Sequence, residues 1–162
     1  MQFTFRSLNK EDIKEIGTWR YPPPYNRYNG NKLKLDMRLF LFIRSISDQT
    51  TFEYFVADDE QGKLAGLFQF TKRTQDTITV GLGMQPDLTG KGQGLAFVEA
   101  GLAFGRTRYK PTAFSLNVLA TNQRAAKVYQ RAGFKTVKNF SRLSFHGLEM
   151  FYEMEHQERN TQ

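Results

Sequence analysis

The chain has no cysteine and two histidines, His146 and His156, in 162 residues. The first absence excludes disulfides, thiolate metal sites and a cysteine nucleophile, and it fits a cytoplasmic protein. The second leaves too few imidazoles for a typical structural zinc site, so no metal is expected. No apolar run approaches the roughly 20 residues of a membrane span, so no membrane partner is expected. The opening residues, MQFTFRSLNKEDI, show no basic region followed by an apolar stretch, so no signal peptide is expected either. There is no strong basic block interleaved with aromatics, which argues against nucleic acid as the main partner. No linker or repeat divides the chain, and one domain over residues 1–156 with a polar tail at 157–162 is the natural expectation. What is present is a formal charge of +7, which attracts anions such as a polyphosphate.

In order, Phe3 and Phe5 alternate with polar residues in a first strand, and Ser7 or Asn9 can cap the helix that follows, with Glu11 and Asp12 in its first turn. Ile13, Ile16 and Trp19 face inward. Pro22, Pro23 and Pro24 stop any helix. Around them lies an aromatic loop, WRYPPPYNRYNGN, with Tyr21, Tyr25 and Tyr28. Tyrosines on a stiff loop make a substrate wall, or they pack on the edge of the core. Residues 32–42 read as a second helix with Leu33, Met37, Phe40 and Leu41 on one side. Strands at 52–57 and 64–71 flank an acidic turn, DDEQG, which reads as a solvated hairpin tip.

Residues 77–106, TITVGLGMQPDLTGKGQGLAFVEAGLAFGR, carry the most information. Ile78, Val80, Leu82 and Met84 alternate with Thr77, Thr79, Gly81 and Gly83, which predicts a strand with one nearly bare face. Pro86 and Asp87 turn the chain. Gly90, Gly92 and Gly94 precede an apolar helix that begins near Leu95. The first turn of a helix has amides without intrahelical partners and partial positive charge, and glycines before it let the backbone close on a phosphate. Lys91 adds a full charge. The loop is therefore a candidate pyrophosphate cradle, or else an ordinary strand-to-helix turn. The spacing G-x-G-x-G fits neither a P-loop nor a Rossmann fingerprint.

After Pro111, Phe114, Leu116 and Val118 alternate in a strand over residues 113–119. The helical crossover makes it parallel to the strand at 78–84. Thr121 or Asn122 caps a further helix whose face is Ala125, Val128, Tyr129 and Ala132, and Gly133 ends it. Strands at 135–142 and 148–155 close the fold.

The run Thr89-Gly90-Lys91-Gly92-Gln93-Gly94 resembles motif A, Q/R-x-x-G-x-G/A, of the GNAT superfamily of acetyl-CoA-dependent N-acetyltransferases, with Thr89 where the family usually has Arg or Gln. Some 30 residues on, Asn122, Ala125, Tyr129, Gly133 and Phe134 are similar in register to motif B of that family. The resemblance implies a mixed α/β (α+β) fold. Its sheet would be mostly antiparallel, with about six to seven strands, a parallel central pair splayed around the cofactor, and about four flanking helices. It implies acetyl-CoA as acetyl donor, with pantetheine along Leu82, Gly83 and Met84. The pyrophosphate would lie on Thr89, Gly90, Lys91, Gly92, Gln93, Gly94 and Leu95, and the Asn122 side chain would bond the pantetheine arm.

The same resemblance makes Tyr129 the general acid toward the CoA sulfur, against a plain packing role on its helix. Many relatives carry a glutamate base at the place of Thr79; here Glu53, Glu149, Glu153 or water remain as candidates, and His146 reads as a turn residue. The acceptor would be a primary amine of a small molecule or a protein, walled by Tyr25 and Tyr28, and a homodimer is left open. A non-catalytic acyl-CoA-binding or regulatory protein on the same fold is the rival reading.

Overall fold

The computed structural model describes residues 1–32, 37–38, 52–144 and 146–158. Seven described strands form one sheet in the order β1-β2-β3-β4-β5-β7-β6, with β4 and β5 the parallel pair. They are β1 (Thr4–Ser7), β2 (Phe52–Asp58), β3 (Leu64–Lys72), β4 (Thr77–Met84), β5 (Ala113–Leu119), β6 (Lys135–Ser144) and β7 (Gly147–Gln157). The described α-helices are α1 (Lys10–Thr18), α2 (Gly94–Tyr109) and α3 (Gln123–Arg131). The mixed sheet with a central parallel pair is the fold that the alternation and the crossover predict. The helix expected over 32–42 lies outside the described residues apart from 37 and 38, where Met37 is buried.

The chain divides into two compact units. The first comprises Met1–Gln69 and Leu82–Gln93. β1 pairs antiparallel with β2, Thr4 opposite Asp58 and Ser7 opposite Phe55. α1 starts at Asn9, whose side chain accepts the amides of Glu11 and Asp12 at 2.9 and 3.0 Å while Asp12 accepts the Asn9 amide at 2.9 Å. This reciprocal box satisfies donors that a helix start otherwise leaves unpaired. Of the two caps that the sequence offered, Asn9 is the one used. α1 buries Ile13 and Ile16, three residues apart on one face, and Trp19 follows them into a cluster with Leu8, Tyr54, Val56 and Leu67.

One element departs from expectation. Asp58 is not part of a solvated tip; it ends β2, buried, and meets Arg6. The turn itself is closed by Asp59, whose side chain accepts the amides of Gln61 and Lys63.

The second unit comprises Phe70–Gly81 and Gly94–Gln162. β5 is its central strand, paired over its whole length with β7, from Ala113 opposite Gln157 to Leu119 opposite Phe151. With β4 the register covers Thr77–Thr79 against Ala113–Ser115, and none is found beyond it among the described residues. α2 packs on the sheet through Gly105. A methyl there would stand 2.9 Å from the rings of both Phe114 and Phe70, and such overpacking costs roughly 1–3 kcal/mol. Phe114, Leu116 and Met154 are 0–2% exposed beneath the helices. β6 and β7 run further than the alternation suggested, to Ser144 and Gln157, because their pairing continues to Ser144 opposite Gly147 and Gln157 still pairs with Ala113.

Candidate active site

In the first unit, the last three residues of β4, Leu82, Gly83 and Met84, are half-buried. The Tyr21 hydroxyl donates to the Met84 carbonyl at 2.6 Å and would lie 3.9 Å from a methyl on Gly83. The bare glycine face of the strand is thus where the aromatic loop arrives. That loop is tied to itself: the Tyr21 amide donates to Asn29 Oδ1 at 2.8 Å, Tyr25 to the Pro22 carbonyl at 2.8 Å, and Gly30 to the Trp19 carbonyl at 3.1 Å. Gly30 presses so close to the end of α1 that a methyl would overlap the Ile16 carbonyl oxygen. Tyr25 and Tyr28 lie in a short 3-10 turn, Tyr25–Tyr28, where the Arg27 guanidinium stands 5.8 Å from the Tyr28 ring centre. The Tyr28 face therefore already has a cation beside it.

After β4 the Gln85 amide donates to the Ala65 carbonyl, and a 3-10 turn, Pro86–Leu88, leads to Thr89. The Thr89 hydroxyl donates to the Pro86 carbonyl at 2.8 Å, which secures the start of the loop. Gly90 and Gly92 have φ of +73° and +77°, and no heavy atom lies within 4 Å of where a Cβ would stand. Backbone conformation, not crowding, is what demands glycine at these two positions. Lys91 between them is exposed, and Gln93 is half-buried.

In the second unit, α2 begins at Gly94 and Leu95, with no acidic side chain in its first turn to offset the positive end. Gly94 lies against Val128 of α3, a methyl there falling 3.1 Å from Val128 Cγ2. Asn122 caps α3, accepting the Ala125 amide at 3.2 Å. Tyr129, one position after Val128, is half-buried with its ring edge-on to Phe134 at 6.1 Å. The fully buried position of the helix is Ala126, so its face is rotated slightly from the one expected, and Tyr129 sits at the margin of the core.

Thr79 is not free to act as a base: its hydroxyl shares a 2.7 Å hydrogen bond with that of Ser115. Among the glutamates, Glu149 accepts from Ser144 at 2.6 Å, Glu53 is half-buried on β2, and Glu153 pairs with Arg73 in a cleft of about 210 Å³ floored by Thr79, Ser115 and Asn117. Sequence reasoning singled out neither the Tyr21 contact nor this cleft. Both join residues more than 60 positions apart, and no local spacing marks them. Among the described residues no three of His, Asp or Glu lie close enough to hold a metal ion, and no helix is long and apolar enough to cross a membrane.

The model of the acetyltransferase (GNAT) domain matches residues 2–135. The chain belongs to the GNAT acetyltransferases. Over 132 residues it is 33% identical to the acetyltransferase PseH of Campylobacter jejuni, covering 80% of this chain and 81% of that protein. It is 40% identical over 88 residues to a mycothiol acetyltransferase of Propionibacterium freudenreichii, which is 51% of this chain and 27% of that protein. The solved structure of the spermidine N-acetyltransferase from Vibrio cholerae in complex with CoA and spermine matches with a TM-score of 0.72 over 96% of this chain and 95% of that one, at 20% identity. Likeness at that identity concerns the fold. Enzymes of the family take the acetyl group from acetyl-CoA, and this GNAT chain is an N-acetyltransferase acting on an amine.

Proposed function

We propose that the acetyl group passes from acetyl-CoA to a primary amine by direct attack on the thioester. The donor is held by the β4 end and the glycine loop. The observation that carries this reading is the pair of left-handed glycines, Gly90 and Gly92, with open space where side chains would stand. Such backbone turns its amides toward one side, where a diphosphate can accept them, and Lys91 and the start of α2 add positive charge. Asn122 donates from its amide nitrogen to the pantetheine arm while its oxygen caps α3. The Met84 amide polarises the thioester carbonyl. The Tyr21 hydroxyl takes the Met84 carbonyl at 2.6 Å, so the aromatic loop holds the end of β4 in place.

In the transfer itself a carbon–nitrogen bond forms, the carbon–sulfur bond breaks, Tyr129 gives its phenolic proton to the departing thiolate, and the proton shed by the newly acylated nitrogen restores the phenol. An alkyl amine with a lysine-like pKa of about 10.4 is roughly 99.9% protonated at neutral pH, so a proton must also leave the amine before attack. With Thr79 engaged by Ser115, that proton goes to water or to a glutamate.

The test is a free-thiol assay with acetyl-CoA and a panel of amines. Thiol release above the hydrolysis blank with at least one amine is expected, and Tyr129→Phe should slow it about 10²-fold or more while CoA affinity stays within twofold. Binding of acetyl-CoA with no release for any amine would favour a non-catalytic acyl-CoA-binding role. Unchanged turnover in Tyr129→Phe would remove the acid assignment.

A further inference from the structure

The cleft of the second unit is lined by none of the residues assigned to the donor. It opens on the sheet face opposite α2. Phe114 meets that helix, and its neighbour Ser115 and then Asn117 point the other way by the strand pleat. Three residues in lateral register form a row across the sheet: Asn117 on β5, Glu153 opposite it on β7, and Lys138 opposite Glu153 on β6. The hydrogen-bonded hydroxyls of Thr79 and Ser115 extend the floor onto β4, and Arg73 reaches in to pair with Glu153.

The donors outnumber the acceptors. Two cations, Arg73 and Lys138, face one carboxylate, and Arg73 already takes it. Lys138 is exposed and pairs with no carboxylate among the described residues. Two hydroxyls sharing one hydrogen bond keep a second proton to donate, and the exposed Asn117 amide adds two more. A pocket of this kind repels a polycation and attracts an anionic oxygen group.

We infer that this cleft binds the acetyl acceptor through an anionic group, a carboxylate or a phosphate carried by the same molecule as the amine. Lys138 is the residue that selects for it. This rests on the acetyl-transfer reading above for the word acceptor, and on the cleft alone for the anion.

Calorimetry with four probes separates the alternatives: γ-aminobutyrate, O-phosphoethanolamine, uncharged-tailed ethanolamine, and spermidine. The wild-type chain should bind one or both anionic amines at least about tenfold more tightly than ethanolamine or spermidine, the scale of one charge-assisted contact. The tighter of the two names the anion. Lys138→Glu, on an exposed outer strand, should abolish that preference and turn it toward spermidine. Tighter spermidine binding by the wild type, or an unchanged order in Lys138→Glu, overturns the proposal. The readout needs no turnover. Anion-selective binding without thiol release would sink the acetyl-transfer reading and leave the anion cleft standing, whereas turnover without anion selectivity would sink the cleft alone.

Discussion

Arg6 and Arg73 both meet carboxylates, one in each unit, and their surroundings make them unlike. Arg6 forks between Asp12 and Asp58 in four hydrogen bonds of 2.6 to 3.2 Å. Those two aspartates are 5% and 8% exposed, and Asp12 also accepts the Asn9 amide at the start of α1. The guanidinium is held well above its ordinary pKa, chiefly by the Asp12 hydrogen bond and then by Asp58. The contribution of a raised basic group is full below its unfolded pKa and is lost as the pH rises from there through the folded one, which for an arginine lies beyond any working pH. Arg73 is exposed to a similar degree, 48% against 41% for the Arg6 side chain, but it has one carboxylate partner, and its neighbours Lys138 and Asn117 remain open to solvent. The same pair of residue types is a closed structural joint where every acceptor is taken, and a receptive surface where donors are left over.

The sharpest way to break that contrast is Arg6→Ala. It strands two buried carboxylates, and after allowing for the partial exposure of the arginine itself the loss should be about 2–3 kcal/mol in urea unfolding. A loss below about 1 kcal/mol would mean that Asp12 and Asp58 find water, and that the joint is no more closed than the cleft. Arg6→Lys should recover less than half, because a point charge cannot fork between two carboxylates. Asn9→Ala sharpens the comparison at smaller scale: it removes one side of the capping box next to the same Asp12 and should cost about 1 kcal/mol by the same measurement. An effect of about 1 kcal/mol or less is expected from Arg73→Ala, because it strands one largely buried carboxylate, Glu153, where Arg6→Ala strands two, and Lys138 is at hand to answer it. A large destabilisation there would recast the cleft as structural.

Much of the fold was legible in the chain. The period-two run at 77–84 is β4, with Ile78 and Val80 buried as the alternation requires. The loop glycines predicted to need conformational freedom include the two with φ near +75°, Gly90 and Gly92. Gly133 ends α3's turn with φ of +93°. These features are local: pleat, helical turn and left-handed backbone are decided by residues a few positions apart. What escaped was set by partners far along the chain. DDEQG looks solvated because acidic turn residues usually are, yet Asp58 is buried by an arginine 52 positions earlier. The tyrosines of the aromatic loop look equivalent in composition, but it is Tyr21 that reaches Met84.

The chain by itself determined its elements, their order, the glycine loop and the family to which it belongs, because hydrophobic period, caps and left-handed glycines act over one or two turns. Only the tertiary structure decided which carboxylates are sealed and which cations stand unanswered. Charge is cheap to place in a sequence, and its meaning depends on what folds against it and how much water remains.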